Sequence, residues 1–363
     1  MKRLVFGMLL FAVGSVSADF AKYIEMTVNY TPTAAVDGFP VLVRLNSSRI
    51  SYADVKNAGA DLKFTDASGE TVYPHEVDTW NPAGESLVWV RLPQLAKGAK
   101  FRMYYGDATV TTSPSSTPVW QGYERVLHAA EAKDSAKGGL TGLCEGGRSA
   151  SGPVGLAYGQ TAAGGKASIE CDLSDHDSTQ FTVSGWIRLN VAVAAWTAIL
   201  GPRNGATASC WGLTTNSKSL RVNVAGKDTG LCKDFSTEGL TPVGEWAKFD
   251  IVYNDLTTTF YINGQIVESP FETTKPACRV VFSGGNRIEW MYFGGVGTGQ
   301  NSTAIGLSGT GIGADFDECR ILNTPASAAR VAADYATVKN ADFLTFQAAR
   351  DNIGEPGSVL VLH

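Results

Sequence analysis

The chain has 363 residues, a formal net charge of -5 and a pI near 5.5. Nucleic-acid binding needs a clustered basic face, and no basic run follows Lys2-Arg3, so nucleic acid is excluded as the main partner. The length has room for two domains with their own cores, and the 40 Gly, 16 Phe and 12 Tyr residues favour a β-rich fold with many tight turns.

The N-terminus has the features of a bacterial signal peptide. Lys2-Arg3 forms a short positive region, residues 4–13 form an almost unbroken apolar run, and residues 15–18 are small residues that precede a cleavage site at Asp19. The apolar run is shorter than the roughly 20 residues that span a bilayer. We therefore expect residues 1–18 to be removed, with an uncleaved anchor as the alternative. The mature protein is expected to be exported, to the periplasm, the cell surface or the medium, without a membrane span.

Residues 19–118 are predicted to form a β-sandwich domain. Turn signals recur about every ten residues between β-branched and aromatic runs, which is typical of antiparallel sandwiches. A Thr-, Ser- and Pro-rich segment, residues 111–118, predicts the linker that ends this domain. The predicted strands are residues 23–28, 39–45, 61–64, 71–80, 86–92 and 99–106.

Residues 119–346 are predicted to form a second β-domain that ends in one short helix. Strands are expected at residues 182–189, 246–253 and 259–264, and Asn263-Gly264 is a strong hairpin signal. The helix is expected from Pro325 to Val338, with Thr324 as its N-cap. Residues 347–363 are a C-terminal tail in which Ser358 to Leu362 is read as a last edge strand.

The cysteines divide the chain into two regions. None lies in the first third, and an even number in an exported protein favours disulfides in the second region only. No pair has the tight spacing of a structural zinc site. Cys210 with Cys232 and Cys278 with Cys319 are the favoured local pairs, but the sequence leaves the connectivity open. The six cysteines are Cys144, Cys171, Cys210, Cys232, Cys278 and Cys319.

The first region resembles a bacterial family known as domain of unknown function 2341, which often precedes a laminin-G-like domain. The resemblance covers nearly the whole region and implies no activity, because the family has none established. The phrases that carry it are residues 39–45, 61–66, 76–80, 87–90 and 104–106.

The second region resembles the concanavalin A-like, laminin-G type of jelly roll. The resemblance implies an all-β chain of two β-sandwich domains, in which the jelly roll binds a glycan or a protein at its rim loops or concave sheet, sometimes through calcium. The superfamily also includes glycoside hydrolases, so it raises the question of catalysis. The phrases that carry it are residues 181–186, Trp246 with Tyr253, residues 260–264, 293–295 and 316–321, and the helix with Tyr335.

Acidic residues on predicted strands are candidates for glycosidase carboxyl groups, two of which lie about 5 Å apart in retaining enzymes. Glu76 and Asp78 alternate on one strand, but no third acid follows them. Asp315 and Asp317 are expected to share a face while Glu318 points the other way. We favour a structural role, with Glu318 paired to a nearby Arg and Asp317 capping a turn. No catalytic residue is therefore assigned.

The four histidines are scattered, and His75, His128 and His176 are interpreted as structural. His75 is expected to be a satisfied surface residue on its strand, and His128 and His176 are likewise assigned no chemistry. Calcium, which prefers several oxygen ligands, is the one cofactor for which ligands are suggested. They are Asp172, Asp175 and Asp177, in a loop before the strand that starts at Phe181.

The sequence therefore predicts an exported, non-enzymatic binding protein whose jelly roll recognises a glycan or a cell-surface protein. The indole rings of Trp196, Trp211 and Trp290 are candidates for stacking on sugar rings, although core packing is at least as good an interpretation for each. A structural component of a cell-envelope or extracellular assembly is the first alternative. A polysaccharide-active glycoside hydrolase is the second.

Overall fold

The computed structural model describes residues 20–128, 134–137, 144–145, 147–160, 168–172, 180–190, 197–202, 212–215, 219–223, 232–236, 243–268, 270–272, 290–293 and 314–352. Antiparallel strands dominate this part of the chain, which contains one α-helix. The predicted all-β class with one short helix is confirmed. Within these residues no helix has the length and apolar character needed to cross a bilayer.

The first region contains seven strands and a short 3-10 helix at Asn57–Gly59. All six predicted strands are present, and the predicted strand 71–80 is divided in two at Pro74, which has no N–H to donate to a strand ladder. The strands are β1 (Lys22–Val28), β2 (Val36–Leu45), β3 (Lys63–Asp66), β4 (Val72–Tyr73), β5 (His75–Thr79), β6 (Ser86–Leu95) and β7 (Lys100–Tyr105).

The second region contributes the remaining elements. They are β8 (Tyr123–Leu127), β9 (Cys144–Glu145), β10 (Gly147–Ser151), β11 (Leu156–Gln160), β12 (Ser168–Asp172), β13 (Gln180–Leu189), β14 (Thr197–Pro202), β15 (Gly212–Thr215), β16 (Ser219–Asn223), β17 (Cys232–Ser236), β18 (Trp246–Asn254), β19 (Thr257–Ile262), β20 (Gln265–Ile266), β21 (Phe271–Glu272), β22 (Trp290–Phe293), β23 (Ala314–Leu322), α1 (Ala328–Lys339), β24 (Leu344–Phe346) and β25 (Arg350–Asp351).

The first region is a two-sheet sandwich that also recruits the end of the described chain. One sheet has the order β24-β1-β7-β3-β4, with β25 also paired to β1, and the other has the order β2-β6-β5. Phe343, next to β24, stacks on Tyr30 at 5.0 Å between ring centroids and lies in the core between the two sheets. Residues 344–351 therefore complete the N-terminal sandwich, which the sequence did not indicate.

The three-stranded sheet is buried on both faces. Val41 and Val43 of β2 and Val88 of β6 belong to the sandwich core, whereas Leu42 and Trp89 belong to a second core that they share with the jelly roll. A strand buried on both faces has a continuous apolar run instead of alternation. This double burial accounts for the unbroken apolar sequences of β2 and β6.

The second region forms two large antiparallel sheets. The nine-stranded sheet has the order β10-β11-β23-β13-β18-β19-β20, with β8 paired to β23 and β21 to β19. The seven-stranded sheet has the order β17-β16-β15-β14-β22-β12-β9. The predicted Asn263-Gly264 hairpin joins β19 to β20, and both residues have positive φ, as a two-residue hairpin of this type requires.

Helix α1 lies between the N-terminal sandwich and the nine-stranded sheet. Ala329 and Ala333 pack into the sandwich core, Val331 packs against Val252 and Tyr261, and Tyr335 stacks on Trp186. Its N-cap is Ser327, whose hydroxyl accepts the N–H of Arg330, so the predicted start at Pro325 with a Thr324 cap is wrong. The carbonyl of Thr324 instead accepts a hydrogen bond from Thr182 of β13.

Replacing Phe343 with Ala is expected to destabilise the N-terminal sandwich by about 3–5 kcal/mol, because it removes a buried ring between two sheets. Urea unfolding followed by fluorescence measures the change. Asp342→Ala is the control, since Asp342 is exposed and its hydrogen bonds involve only its backbone, whose carbonyl accepts from Asn29 and whose N–H donates to Asn340. Equal stabilities for the two variants would contradict the packing of residues 343–346 into this core.

His75 is buried against Phe64, so the prediction that it lies on the surface is wrong. Burial lowers its pKa to about 4. Because the unfolded chain binds the proton more readily, His75 contributes stability that is present above about pH 6.5 and is lost as the pH falls toward 4. His75→Leu is expected to reduce the acid-dependent loss by about 2–3 kcal/mol, measured by urea unfolding between pH 7 and pH 4. Parallel pH profiles would refute this.

Candidate functional site

A buried cluster of charged side chains lies where the N-terminal sandwich meets the nine-stranded sheet. On β5, His75 and Val77 point into the sandwich core, and Glu76 between them points toward the jelly roll. Asp78 lies at a register shift between Val77 and Thr79, and its carboxyl group is on the same side, within 4.8 Å of His128 and Glu318. Glu76 and Asp78 face β23, which contributes Glu318, and His128, which directly follows β8. Three separate parts of the chain therefore supply the cluster.

A β-bulge in β23 aims the acidic side chains. Arg320 pairs with Ser184 and Asp317 with Trp186, so Glu318 and Cys319 together oppose Gly185 of β13. Glu318 has a φ of 50°, in the left-handed region that non-glycine residues rarely adopt. The bulge keeps both Asp317 and Glu318 on the side of the sheet that faces the N-terminal sandwich, so the expectation that they point apart is wrong.

The carboxylates of Glu76 and Glu318 hold His128 between them. His128 Nδ1 lies 2.7 Å from Glu318 Oε1, and His128 Nε2 lies 3.4 Å from Glu76 Oε2. Glu76 also accepts hydrogen bonds from Trp120 Nε1 and Ser135 Oγ, each at 2.6 Å. Both oxygens of Glu76 are thus bonded, and the imidazole bridges the two domains.

Arg320 neutralises the other side of Glu318. Its Nε donates to Glu318 Oε2 at 3.0 Å, and its Nη2 donates to the same oxygen. The guanidinium carbon lies 4.4 Å from the ring centroid of Trp89 and 4.6 Å from that of Trp120. Because Trp89 lies on β6 of the N-terminal sandwich and Arg320 on β23, this cation packs across the domain boundary. The predicted pairing of Glu318 with an Arg is confirmed.

Asp317 and Asp315 have structural partners. The Asp317 carboxylate accepts the N–H of Val154 at 2.9 Å, in the turn between β10 and β11, and it also accepts the N–H of Glu318. The predicted turn-capping role of Asp317 is therefore confirmed. Asp315 forms an ion pair with Arg188 of β13. These contacts tie the turn and the neighbouring strand to β23.

The environment drives the pKa values of the carboxyl groups apart. Burial opposes ionisation of Glu76, but the hydrogen bond and charge of His128, with the bonds from Ser135 and Trp120, lower its pKa to about 2. Burial and the charges of Glu318 and Glu76 raise the pKa of Asp78 to about 7 against the opposing charge of His128. The carboxylates of Glu318 and Asp78 raise the pKa of His128 well above its usual value, although burial acts the other way.

Asp78, His128 and Glu318 could hold a metal ion, because one ligand atom from each lies within 4.8 Å of the others. Sequence reasoning missed this group, since its members are distant in the chain and β5 lies in another domain. The alternation of Glu76 and Asp78 was the one available signal.

The residues that the sequence singled out fall mainly in the second region. Trp290 begins β22 and its backbone pairs with that of Asp172, the last residue of β12. On neighbouring strands, Cys144 pairs with Ile169, two residues before Cys171. Cys232 begins β17, and Cys319 is fully buried in β23. Trp196, Trp211, Asp175, Asp177, Cys210, Cys278 and residues 1–18 lie outside the described residues.

Comparison with known families identifies both regions. Residues 58–131 match the family model of a domain of unknown function, DUF2341, and residues 163–332 match that of the concanavalin A-like lectin/glucanases superfamily. The chain therefore carries a DUF2341 match followed by a concanavalin A-like match. Both resemblances and their order are as predicted. No curated protein matches the chain.

Several solved structures are similar to the chain. The binding domain of Paraclostridial Mosquitocidal Protein 1 is 14% identical with a TM-score of 0.45, and that of botulinum neurotoxin DC, in complex with rat synaptotagmin II, is 12% identical with a TM-score of 0.44. Each match covers 60% of this chain and 52% of the other, so the chain spans about half of their length. Domain 4 of AbnA, an extracellular GH43 arabinanase from Geobacillus stearothermophilus in complex with arabinotriose, is 16% identical with a TM-score of 0.41, over 59% of this chain and 100% of that domain. No ligand or activity follows from likeness at this level.

Replacing Arg320 with Met is expected to destabilise the protein by about 3–5 kcal/mol, because Glu318 would remain buried without its cation. Lys100→Met is the control, since Lys100 is 53% exposed in its ion pair with Glu25 and should contribute less than about 1 kcal/mol. Denaturant unfolding of both variants measures the difference. Similar losses would show that Arg320 does not neutralise a buried charge.

Proposed function

We propose that this protein is an exported, non-enzymatic binding protein whose concanavalin A-like domain recognises a glycan through one end of its seven-stranded sheet. The observation that carries the proposal is the pairing of Trp290 with Asp172 at that end. A residue suggested for sugar stacking and a residue suggested for calcium binding thus occupy opposite positions on neighbouring strands. A protein ligand at the same surface is the alternative.

One face of the nine-stranded sheet is covered by the DUF2341 domain and helix α1. The side chains of Trp186, Arg320 and Val252 on the nine-stranded sheet pack against the DUF2341 domain or helix α1. A ligand cannot reach this face without separating the two domains. This leaves the seven-stranded sheet and the loops at its ends as the binding surface of the proposal.

Several strands of the seven-stranded sheet end close together at the proposed surface. β12 ends at Asp172 and β22 begins at Trp290, while β14 ends at Pro202, which pairs with Met291. β15 begins at Gly212, next to Leu213, whose partner is Leu200 of β14. In sequence, Trp211 directly precedes this strand. In general, an exposed indole gives a flat apolar surface for stacking on a sugar ring.

The buried carboxylates support a non-enzymatic role despite their convergence. Glu318 and Asp78 are close enough to resemble a retaining glycosidase pair. However, the Glu318 side chain is only 2% exposed, and its two oxygens are bonded to His128 and Arg320. A nucleophile must reach the anomeric carbon, and Glu318 lies under the domain contact. We therefore assign these residues to the interface and leave hydrolysis as the disfavoured alternative.

Replacing Trp290 with Ala is expected to weaken glycan binding at least tenfold. Loss of a stacked aromatic ring removes about 1.4 kcal/mol or more of binding free energy, and 1.4 kcal/mol corresponds to a tenfold change in Kd. A glycan array with the mature wild-type chain identifies the ligand, and titration calorimetry with that ligand measures the variants. Trp211→Ala is expected to have a similar effect.

Leu256→Ala is the control, since Leu256 is an exposed apolar residue in the turn between β18 and β19 of the other sheet. The absence of any glycan ligand, together with no protein captured from the native cell envelope, would contradict the binding role. Binding that Trp290→Ala and Trp211→Ala leave unchanged would contradict its location. Release of reducing sugar from an array ligand would favour the hydrolase.

A further inference from the structure

We propose that Asp78, His128 and Glu318 form a binding site for one divalent transition-metal ion of the zinc type, which clamps the DUF2341 domain onto the concanavalin A-like domain. This site is separate from the glycan surface proposed above, and nothing in its argument depends on that proposal. Its three ligands come from β5, from the residue after β8 and from β23.

The ligand atoms have the spacing that a small metal ion requires. Ligands of zinc lie about 2.0 Å from the ion, so two ligand atoms of a tetrahedral site are roughly 3.3 Å apart. In the structure, His128 Nδ1 and Glu318 Oε1 are 2.7 Å apart, and all three ligand atoms lie within 4.8 Å of one another. The three ligand atoms are therefore close enough together to share one ion.

Asp78 has an oxygen with no partner. Its Oδ2 is buried and accepts no hydrogen bond, which is costly for a carboxyl group away from water. The neighbouring acids have their oxygens bonded, since Glu76 accepts from Trp120 and Ser135, and Glu318 accepts from Arg320. Asp78 is therefore the acid in this cluster that retains free ligand capacity, and a metal ion would satisfy it.

The backbone of Glu318 is held in an unfavourable conformation at this site. A left-handed φ in a non-glycine residue within a strand is energetically unfavourable, and such residues concentrate at functional sites. This conformation keeps Glu318 on the side of β23 where it pairs with Arg320, and it brings the carboxylate to His128, which belongs to another segment.

The surrounding residues resemble the outer shell of a metal site. Arg320 bonds the second oxygen of Glu318, and Glu76 lies 3.4 Å from the second nitrogen of His128. Such contacts orient the ligands and set the histidine tautomer. A nitrogen ligand together with two carboxylates suits zinc better than calcium, which takes six to eight oxygen ligands.

The test uses the full mature chain, freed of metal by a chelator, with zinc chloride as the probe. Calorimetry is expected to show one zinc ion bound per chain, and the thermal midpoint is expected to rise by about 5 °C at a hundredfold excess over the Kd. Cobalt chloride should produce the visible absorption of a site with nitrogen and oxygen ligands, a readout independent of stability.

Asp78→Asn is the decisive variant. Because Asp78 Oδ2 has no partner in the metal-free protein, the substitution should leave the metal-free thermal midpoint unchanged or higher, and it should abolish both the zinc-induced shift and the cobalt spectrum. Asp54→Asn is the matched control, since Asp54 is a carboxylate of the same domain that pairs with Lys22 on the surface. It should retain the full response.

Three results would overturn the proposal. The first is the absence of a zinc-dependent shift and of a cobalt spectrum in the wild-type chain. The second is a zinc response that Asp78→Asn retains, which would place the ion elsewhere. The third is a response to calcium but not to zinc, which would point to an all-oxygen site.

Discussion

Arg320 can be buried between two domains only because Glu318 accepts two of its N–H groups and because Trp89 and Trp120 pack against its guanidinium. A buried charge needs such partners, since desolvation of an unpaired guanidinium costs several kcal/mol. The same requirement explains the bulge that turns Glu318 toward the interface. It also explains why His128 lies between the carboxylates of Glu318 and Glu76. The two domains are therefore joined by a network of charged side chains. Separating the domains would remove the partners of these buried charges.

Apolar packing surrounds this network and determines where a ligand can bind. The sheet β2-β6-β5 contributes one face to the N-terminal core and the other to the core shared with the jelly roll. Helix α1 packs against another part of the nine-stranded sheet. The two strands that follow the helix, β24 and β25, pair with β1 of the N-terminal sandwich. The DUF2341 domain thus acts as a fixed cover on one sheet, which directs our binding proposal to the other.

Two carboxyl groups of the interface cluster, those of Glu76 and Asp78, have different environments. Glu76 is ionised and fully bonded, whereas Asp78 has a raised pKa and an oxygen without a partner, although both lie on one strand. The difference arises from their neighbours, because Trp120, Ser135 and His128 surround one carboxyl group and the acids Glu318 and Glu76 face the other. Our two proposals place a metal ion at the interface and a sugar at the end of the seven-stranded sheet, and they can fail independently.

Local patterns in the sequence determined the strands, the Asn263-Gly264 hairpin and both domain families, because alternation, turn residues and family phrases act over a few residues. The unbroken apolar runs of β2 and β6 also carried a signal of burial on two faces. Tertiary structure alone decided the pairing of residues 344–351 with β1, the burial of His75 and the convergence of Asp78, His128 and Glu318. A strict period of two put Asp317 and Glu318 on opposite faces, and one left-handed residue reversed that relation. Such contacts depend on which segments fold against each other across 190 residues of chain, as between His128 and Glu318, and no local pattern encodes them.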